Sequence, residues 1–234
     1  MEKLHRFEHP KWGIIDHDKV KVKEEFHDIW KHSKKIILGS MPPIKMTDQN
    51  KLCKGDIYYF YGSNRSHFWN ILNYINDEKK NLFDVNDRLI NYKNIEGKDK
   101  SLIVNERRNL LKKHNIGIID LYLTCYHDKD GYSDKDIIIK ETTDWMPIDE
   151  ILNECDATEI FCTSLYVKNK LIEQFAEVND KDNLYNVHIK NVKRTFNIYV
   201  LSSPTFRSSG KLFNNIEKRK EFINSYAKLF DREF

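Results

Sequence analysis

The sequence has little cysteine and none of the spacings that usually give cysteine a job. Its four cysteines stand at 53, 125, 155 and 162, and no two form a C-x-x-C pair. Zinc sites and iron–sulfur clusters draw on closely spaced ligands, so neither is expected, and reduced thiols of a cytoplasmic protein are the simplest account. The nine histidines are scattered and include no H-E-x-x-H pair. No apolar run approaches the roughly 20 residues of a membrane helix. No apolar stretch follows Met1 to Arg6, so a secretory signal is not expected. Alanine occurs only three times while lysine abounds, which reads as coding bias toward Lys, Asn and Ile. The lysines are therefore not a functional signal. There is no internal repeat and no Pro/Gly/Ser linker, so 1–234 reads as a single domain.

The chain does hold a core. Of its 234 residues, 66 are Ile, Leu, Val or Phe, well clear of the composition of disordered chains. The net charge of +3 neither demands nor excludes a nucleic-acid partner, because charge placement matters more than the total.

Periodicity alternates along the chain. Continuous apolar runs predict strands at 36–39, 116–123, 158–163 and 196–201, with a further strand at 185–189. Apolar residues at helical spacing predict helices over 67–75, 101–114, 147–153, 166–176 and 214–230. Strand and helix in turn argue for an α/β fold, a mainly parallel sheet with helices on both faces. In such folds ligands sit beyond the carboxyl ends of the strands.

The first of these ends reads Gly39-Ser40-Met41-Pro42-Pro43. It is neither a Walker loop nor a G-x-G-x-x-G fingerprint. Tyr58-Tyr59-Phe60-Tyr61-Gly62-Ser63-Asn64 follows, then Phe68-Trp69; aromatics beside Asn and Arg can stack a planar ring and bond its edges. Asp120 interrupts an apolar strand, and a buried carboxylate is either paired or used. After the third strand, Thr163 and Ser164 either touch phosphate or cap the next helix. The last strand ends in Ser202-Ser203-Pro204-Thr205-Phe206-Arg207, rich in groups that suit phosphate, with Lys211 beyond.

In this order the motifs resemble the uracil-DNA glycosylase superfamily, nearest its hypoxanthine-DNA and mismatch-specific branch. Glu8-His9-Pro10 with Ile14-Ile15-Asp16, the G-S-M-P-P loop, the tyrosine-rich block, Gly117-Ile118-Ile119-Asp120 with Ser133-Asp134 and Ile137, and the Ser-Pro loop carry the resemblance over about residues 8–211. It implies a three-layer α/β/α sandwich with a short central sheet. It implies a monofunctional DNA glycosylase that flips a deaminated or modified base out of DNA and hydrolyses the bond to its sugar. The partner would be single- or double-stranded DNA carrying such a base, read by a monomer with no cofactor, no metal and no membrane.

Carried over by position, Asn64 and Asp120 are the catalytic candidates. Gly39, Ser40, Met41, Pro42, Tyr58 and Tyr59 would line the base, one of the two tyrosines stacking on it. Met41 stands where other branches place a water-orienting Asp or Asn, so it packs against base or sugar instead. Three residues separate Asn64 from Phe68, more than that motif carries. Asp120 stands where uracil-specific members place an Asn; ionised, it only accepts hydrogen bonds, so uracil is not expected to be the best substrate. Ser203, Pro204, Thr205 and Arg207, with Thr163 and Ser164, would meet DNA. Ser133 and Asp134 would brace the pocket loop by local hydrogen bonds. His67 and His127 are given structural or surface roles. The competing readings are a catalytically silent DNA- or nucleotide-binding relative and a hydrolase of free nucleosides or nucleotides.

Overall fold

The computed structural model describes residues 4–10, 12, 32–77, 99–127, 134–177, 186–204 and 216–232. Among the described residues, twelve α-helices and β-strands build the fold. In chain order they are β1 (His5–Glu8), β2 (Lys35–Gly39), α1 (Phe68–Asn76), α2 (Lys100–Lys113), β3 (Ile116–Asp120), β4 (Thr124–His127), α3 (Ile148–Glu154), β5 (Glu159–Cys162), α4 (Leu165–Phe175), β6 (Asn186–His188), β7 (Thr195–Val200) and α5 (Ile216–Ala227).

Five strands form one sheet in the order β3-β2-β5-β7-β6, all parallel except the edge strand β6. β2 and β3 are buried along their whole length. That is why they read as unbroken apolar runs rather than alternating ones. Their side chains still alternate between two separate cores. Ile37, Ile118 and Phe161 join Phe68, Ile71 and Leu72 of α1, Leu111 of α2 and Phe222 and Tyr226 of α5. Ile36, Leu38, Ile119 and Ile160 join Ile151 and Leu152 of α3 and Val167 and Leu171 of α4. Helices thus cover both faces, and each fully buried Leu or Ile contributes about 1.5–3 kcal/mol by leaving water.

Local chemistry sets the helix ends. The Asp99 carboxylate accepts from Ser101 N–H at the start of α2, and Lys112 and Lys113 fill its last turn, where they favour the negative end of the helix dipole. Ser164 Oγ accepts from Val167 N–H at 3.2 Å, so Ser164 caps α4.

The chain order creates a switch point. The segment after β2 runs through α1 and α2 on one face; the segment after β5 enters α4 on the other. β2 and β5 are neighbours, so the crevice between their carboxyl ends is where ligands gather in open α/β sheets.

The expected strands and helices recur within a few residues, with one difference. The strand expected over 116–123 ends at Asp120, because β2, its partner, ends at Gly39 opposite. The chain then turns and pairs Thr124–His127 with His5–Glu8 in an antiparallel ribbon that periodicity does not reveal. Tyr185, expected to open a strand, lies outside the described residues.

Candidate functional site

The site is built from side-chain parity. Asp120 lies two residues past Ile118, and Thr163 two past Phe161, so both continue the face that looks toward α1, α2 and α5. Gly39 is the register partner of Asp120 and shares that face. A methyl group on Gly39 would stand 2.0 Å from Asp120 Oδ1 and 2.7 Å from the Tyr61 hydroxyl oxygen. The carboxylate and the phenol therefore converge over the bare backbone of Gly39. No residue with a side chain fits there without moving one of them.

Asp120 is only 4% exposed, and His9 answers its charge. The His9 Nε2 atom lies 2.8 Å from Asp120 Oδ2. With the carboxylate as acceptor, the Nε2–H tautomer of the imidazole is the donor. The β1–β4 ribbon delivers His9 to this place. Glu8 pairs with Thr124, and His9 N–H donates to Leu123 carbonyl oxygen at 2.8 Å. Trp12 and Phe60 wall the imidazole, with ring centroids 6.0 and 5.9 Å away.

Tyr61 stacks on Phe68 with ring centroids 4.3 Å apart. Burial drives its phenol well above the usual tyrosine range, and the Asp120 charge adds to that, while a hydrogen bond with Thr163 opposes it. It is a fixed neutral hydroxyl. Its backbone has φ 49°, left-handed for a bulky residue, and such strain collects at functional sites. The next residue explains the turn. A Cβ on Gly62 would stand 1.8 Å from Ile57 carbonyl oxygen, so only glycine admits this close crossing.

A second carboxyl joins from the loop after β4. Ser40 Oγ donates to Asp134 Oδ1 at 2.6 Å. Burial raises the Asp134 carboxyl above the ordinary aspartate range; the Ser40 hydrogen bond and His127 lower it, and the Asp120 charge raises it further. Two consecutive residues, Gly39 at the end of β2 and Ser40 after it, thus each face a carboxyl from a different part of the chain.

The expected site residues divide. Gly39, Ser40, Asp120 and Thr163 come together at the switch point. Met41 packs, half-buried, against the core on the α3–α4 face, and Pro42 follows it, half-buried. Asn64 stands apart. Its side-chain amide donates to Lys54 carbonyl oxygen at 2.9 Å in an exposed turn, and its N–H donates to Asp56. The extra spacing before Phe68 is the sequence trace of this turn. Tyr59 is buried against Trp69, with Arg108 near its ring. Tyr58 meets Trp12 edge-on and lines an open cleft of about 370 Å³ with Leu52, Ile57, Lys100 and Val104. Neither ring contributes to the Asp120 cluster; Tyr61 does.

Ser164 is occupied as a helix cap. Ser203 is half-buried, and the Pro204 carbonyl accepts from His67 N–H at 3.0 Å, tying the last loop to the start of α1. Asp134 braces Ser40 across 94 residues rather than locally. His127 is buried, edge-on to Phe7. Thr205, Arg207, Lys211, Ser133 and residues 14–16 lie outside the described residues. Sequence alone assigns His9 and Tyr61 no role, since what distinguishes them is contact with Asp120 over long separations.

Among the described residues no cluster of His, Cys, Asp and Glu has the makings of a metal site, and no helix is long and apolar enough to cross a membrane. No family model, curated protein or solved structure matches the chain.

Proposed function

We propose that this chain is a DNA glycosylase with a uracil-DNA glycosylase-like fold, hydrolysing the bond between deoxyribose and a flipped-out deaminated or modified base. One observation carries the reading: the Asp120 carboxylate, secured by His9 and overhung by the Tyr61 hydroxyl, converges on the bare backbone of Gly39 at the switch point. The motif order that resembles this superfamily stands beside it.

The chemistry suits the groups. Glycosidic bond breaking puts positive character on the sugar and negative charge on the departing base. A fixed carboxylate at the rim stabilises the first, and neutral donors such as Tyr61 stabilise the second, most strongly in a site shielded from water. Ionised Asp120 accepts an N–H from the base edge and repels a bare carbonyl oxygen. In this reading Thr163 and Ser203 serve the backbone of the DNA, and Asn64 has no part in the chemistry.

A second reading, hydrolysis of free nucleosides, draws on the neighbouring carboxyls of Asp120 and Asp134, which disfavour a phosphate at the rim. One assay separates the two. Oligonucleotides carrying uracil, hypoxanthine, xanthine or a modified pyrimidine are incubated with the protein and scored for alkali-labile abasic sites, beside the corresponding free nucleosides. The DNA reading expects strand scission at one base. Base release from nucleosides alone would replace it with the second reading.

A further inference from the structure

Helix α2 carries an arginine whose charge no carboxylate answers. The helix holds five cations, Lys100, Arg107, Arg108, Lys112 and Lys113, against one carboxylate, Glu106. Lys112 and Lys113 sit in the last turn, where the helix dipole favours them; Arg107 lies in mid-helix, beyond its reach. The Arg107 guanidinium instead lies over the Trp69 ring, 4.9 Å from its centroid. Its Nη1 atom is shut off from solvent and, among the described residues, has no hydrogen-bond partner. Burial draws the group down to about 10, so it stays charged at neutral pH; Tyr59 and Glu106 oppose that shift. A ring face attracts a cation but gives its N–H groups no acceptor in their own plane. A covered guanidinium without a carboxylate destabilises a fold, so its presence calls for another reason.

We infer that Arg107 anchors a phosphate of the DNA backbone, so that α2 guides the strand whose base enters the site. The inference rests on the glycosylase reading and adds to it a backbone contact on a helix, outside the rim loops.

The place suits that role. Trp69 belongs to the first turn of α1, and its indole is fixed by donating Nε1–H to Phe60 carbonyl oxygen at 2.7 Å. Trp69 meets Phe68 with ring centroids 5.1 Å apart, and Phe68 stacks on Tyr61 at 4.3 Å. Two ring contacts therefore separate the platform under Arg107 from the hydroxyl above Gly39. His67, just before α1, donates its N–H to Pro204 carbonyl oxygen at 3.0 Å, which ties the start of that helix to the segment after β7.

The chemistry suits it as well. Arg107 is half-buried, so it keeps an open side. An arginine that stacks its face on an aromatic ring presents its edge, and the edge is what forks onto phosphate oxygens. A helix with this excess of cations is the electrostatic footprint of a polyanion.

The test uses the full chain and an undamaged, fluorescein-labelled single-stranded oligonucleotide, so it needs no turnover. Anisotropy titrations at several salt concentrations give the affinity and its salt dependence. Arg107→Met keeps an apolar side chain against Trp69 and removes the charge. It is expected to bind about tenfold more weakly than wild type, the loss of one charge-assisted hydrogen bond. The slope of log affinity against log salt is expected to shrink by roughly 0.7, the share of one phosphate on a single strand. The urea midpoint of Arg107→Met is expected to be no lower than that of wild type, because the charge removed had no carboxylate. Arg107→Lys is expected to recover most of the slope. Lys190→Met, which removes an exposed cation beyond the edge strand β6, is expected to leave it unchanged.

A second measurement uses the wild type alone. The oligonucleotide is expected to slow the reaction of Arg107 with phenylglyoxal, followed by peptide mass spectrometry. Unchanged affinity and slope in Arg107→Met, or a phenylglyoxal reaction that ignores the oligonucleotide, overturns the inference. Equal weakening of Arg107→Met on polyglutamate also overturns it, in favour of an acidic protein partner. The expected loss in Arg107→Met without base release from any oligonucleotide would fault the glycosylase reading alone. Base release by a chain whose salt slope is indifferent to Arg107 would fault this inference alone.

Discussion

His9 and Asp120 meet at 2.8 Å although 111 residues separate them in the chain; the imidazole is fully buried and the carboxylate nearly so. The contact ties the β1–β4 ribbon to the carboxyl rim of the main sheet. It also fixes the orientation of the carboxylate that ends β3, next to the central strand β2. Removing one partner of such a pair strands the other. His9→Ala is expected to cost about 3–5 kcal/mol, the usual penalty for an uncompensated buried charge. His9→Gln, which keeps a donor, costs less. Urea unfolding measures both. The double variant His9→Ala/Asp120→Ala is expected to be less destabilised than the sum of the single variants, since no orphaned charge remains.

Gly39 has no room for a methyl group between Asp120 and Tyr61. Gly39→Ala is expected to fold with a loss of about 1–3 kcal/mol, as in other overpacked sites. Base binding is expected to fall sharply, because the carboxylate or the phenol must swing away. Calorimetric titration and denaturant unfolding on the same sample separate the two effects.

Asp56 gives the fold an acid-sensitive joint. Burial by itself would raise its carboxyl, but the Asn64 N–H, the Lys45 ammonium and the Cys53 N–H outweigh burial and hold it below the usual aspartate range. Both Asp56 oxygens accept from Lys45 Nζ, at 3.0 and 2.8 Å. A carboxyl depressed in the folded state contributes stability that is complete above its unfolded value of about 3.9, and that contribution disappears as pH falls through the lower folded value. Urea midpoints measured across that acid window are expected to drop with falling pH in the wild type, and less steeply in Asp56→Asn.

Asn64 and Tyr61 are expected to behave oppositely. Asn64→Ala loses one exposed hydrogen bond, worth about 0.5 kcal/mol, and leaves base release unchanged. Tyr61→Phe keeps the stack on Phe68 but removes the hydroxyl over Gly39, and base release is expected to fall. Single-turnover rates on one cleavable oligonucleotide compare them directly.

The strands and helices were legible because hydrophobic burial writes itself locally. Ile36 to Leu38 and Ile116 to Ile119 are apolar runs since helices cover both faces of the sheet. Asp120 announced itself by interrupting such a run. The ribbon did not, because His5–Glu8 is short and largely exposed, with no apolar period. Its partner, Thr124–His127, lies far along the chain: Glu8 pairs with Thr124, 116 residues on, and His5 with His127, 122 residues on. Within the tyrosine-rich block, composition could not say which ring meets Asp120. That choice is made by the left-handed turn at Tyr61 and the close crossing at Gly62, which are properties of backbone geometry. Ser40 and Asp134 are likewise joined only by the fold.

The most direct measurement is abasic-site formation by wild type, Asp120→Ala and Asn64→Ala on the oligonucleotide carrying the preferred base. The account predicts scission by the wild type, undiminished scission by Asn64→Ala, and its loss in Asp120→Ala with the fold intact by circular dichroism. Scission that survives Asp120→Ala, or none by the wild type on any base, would contradict it.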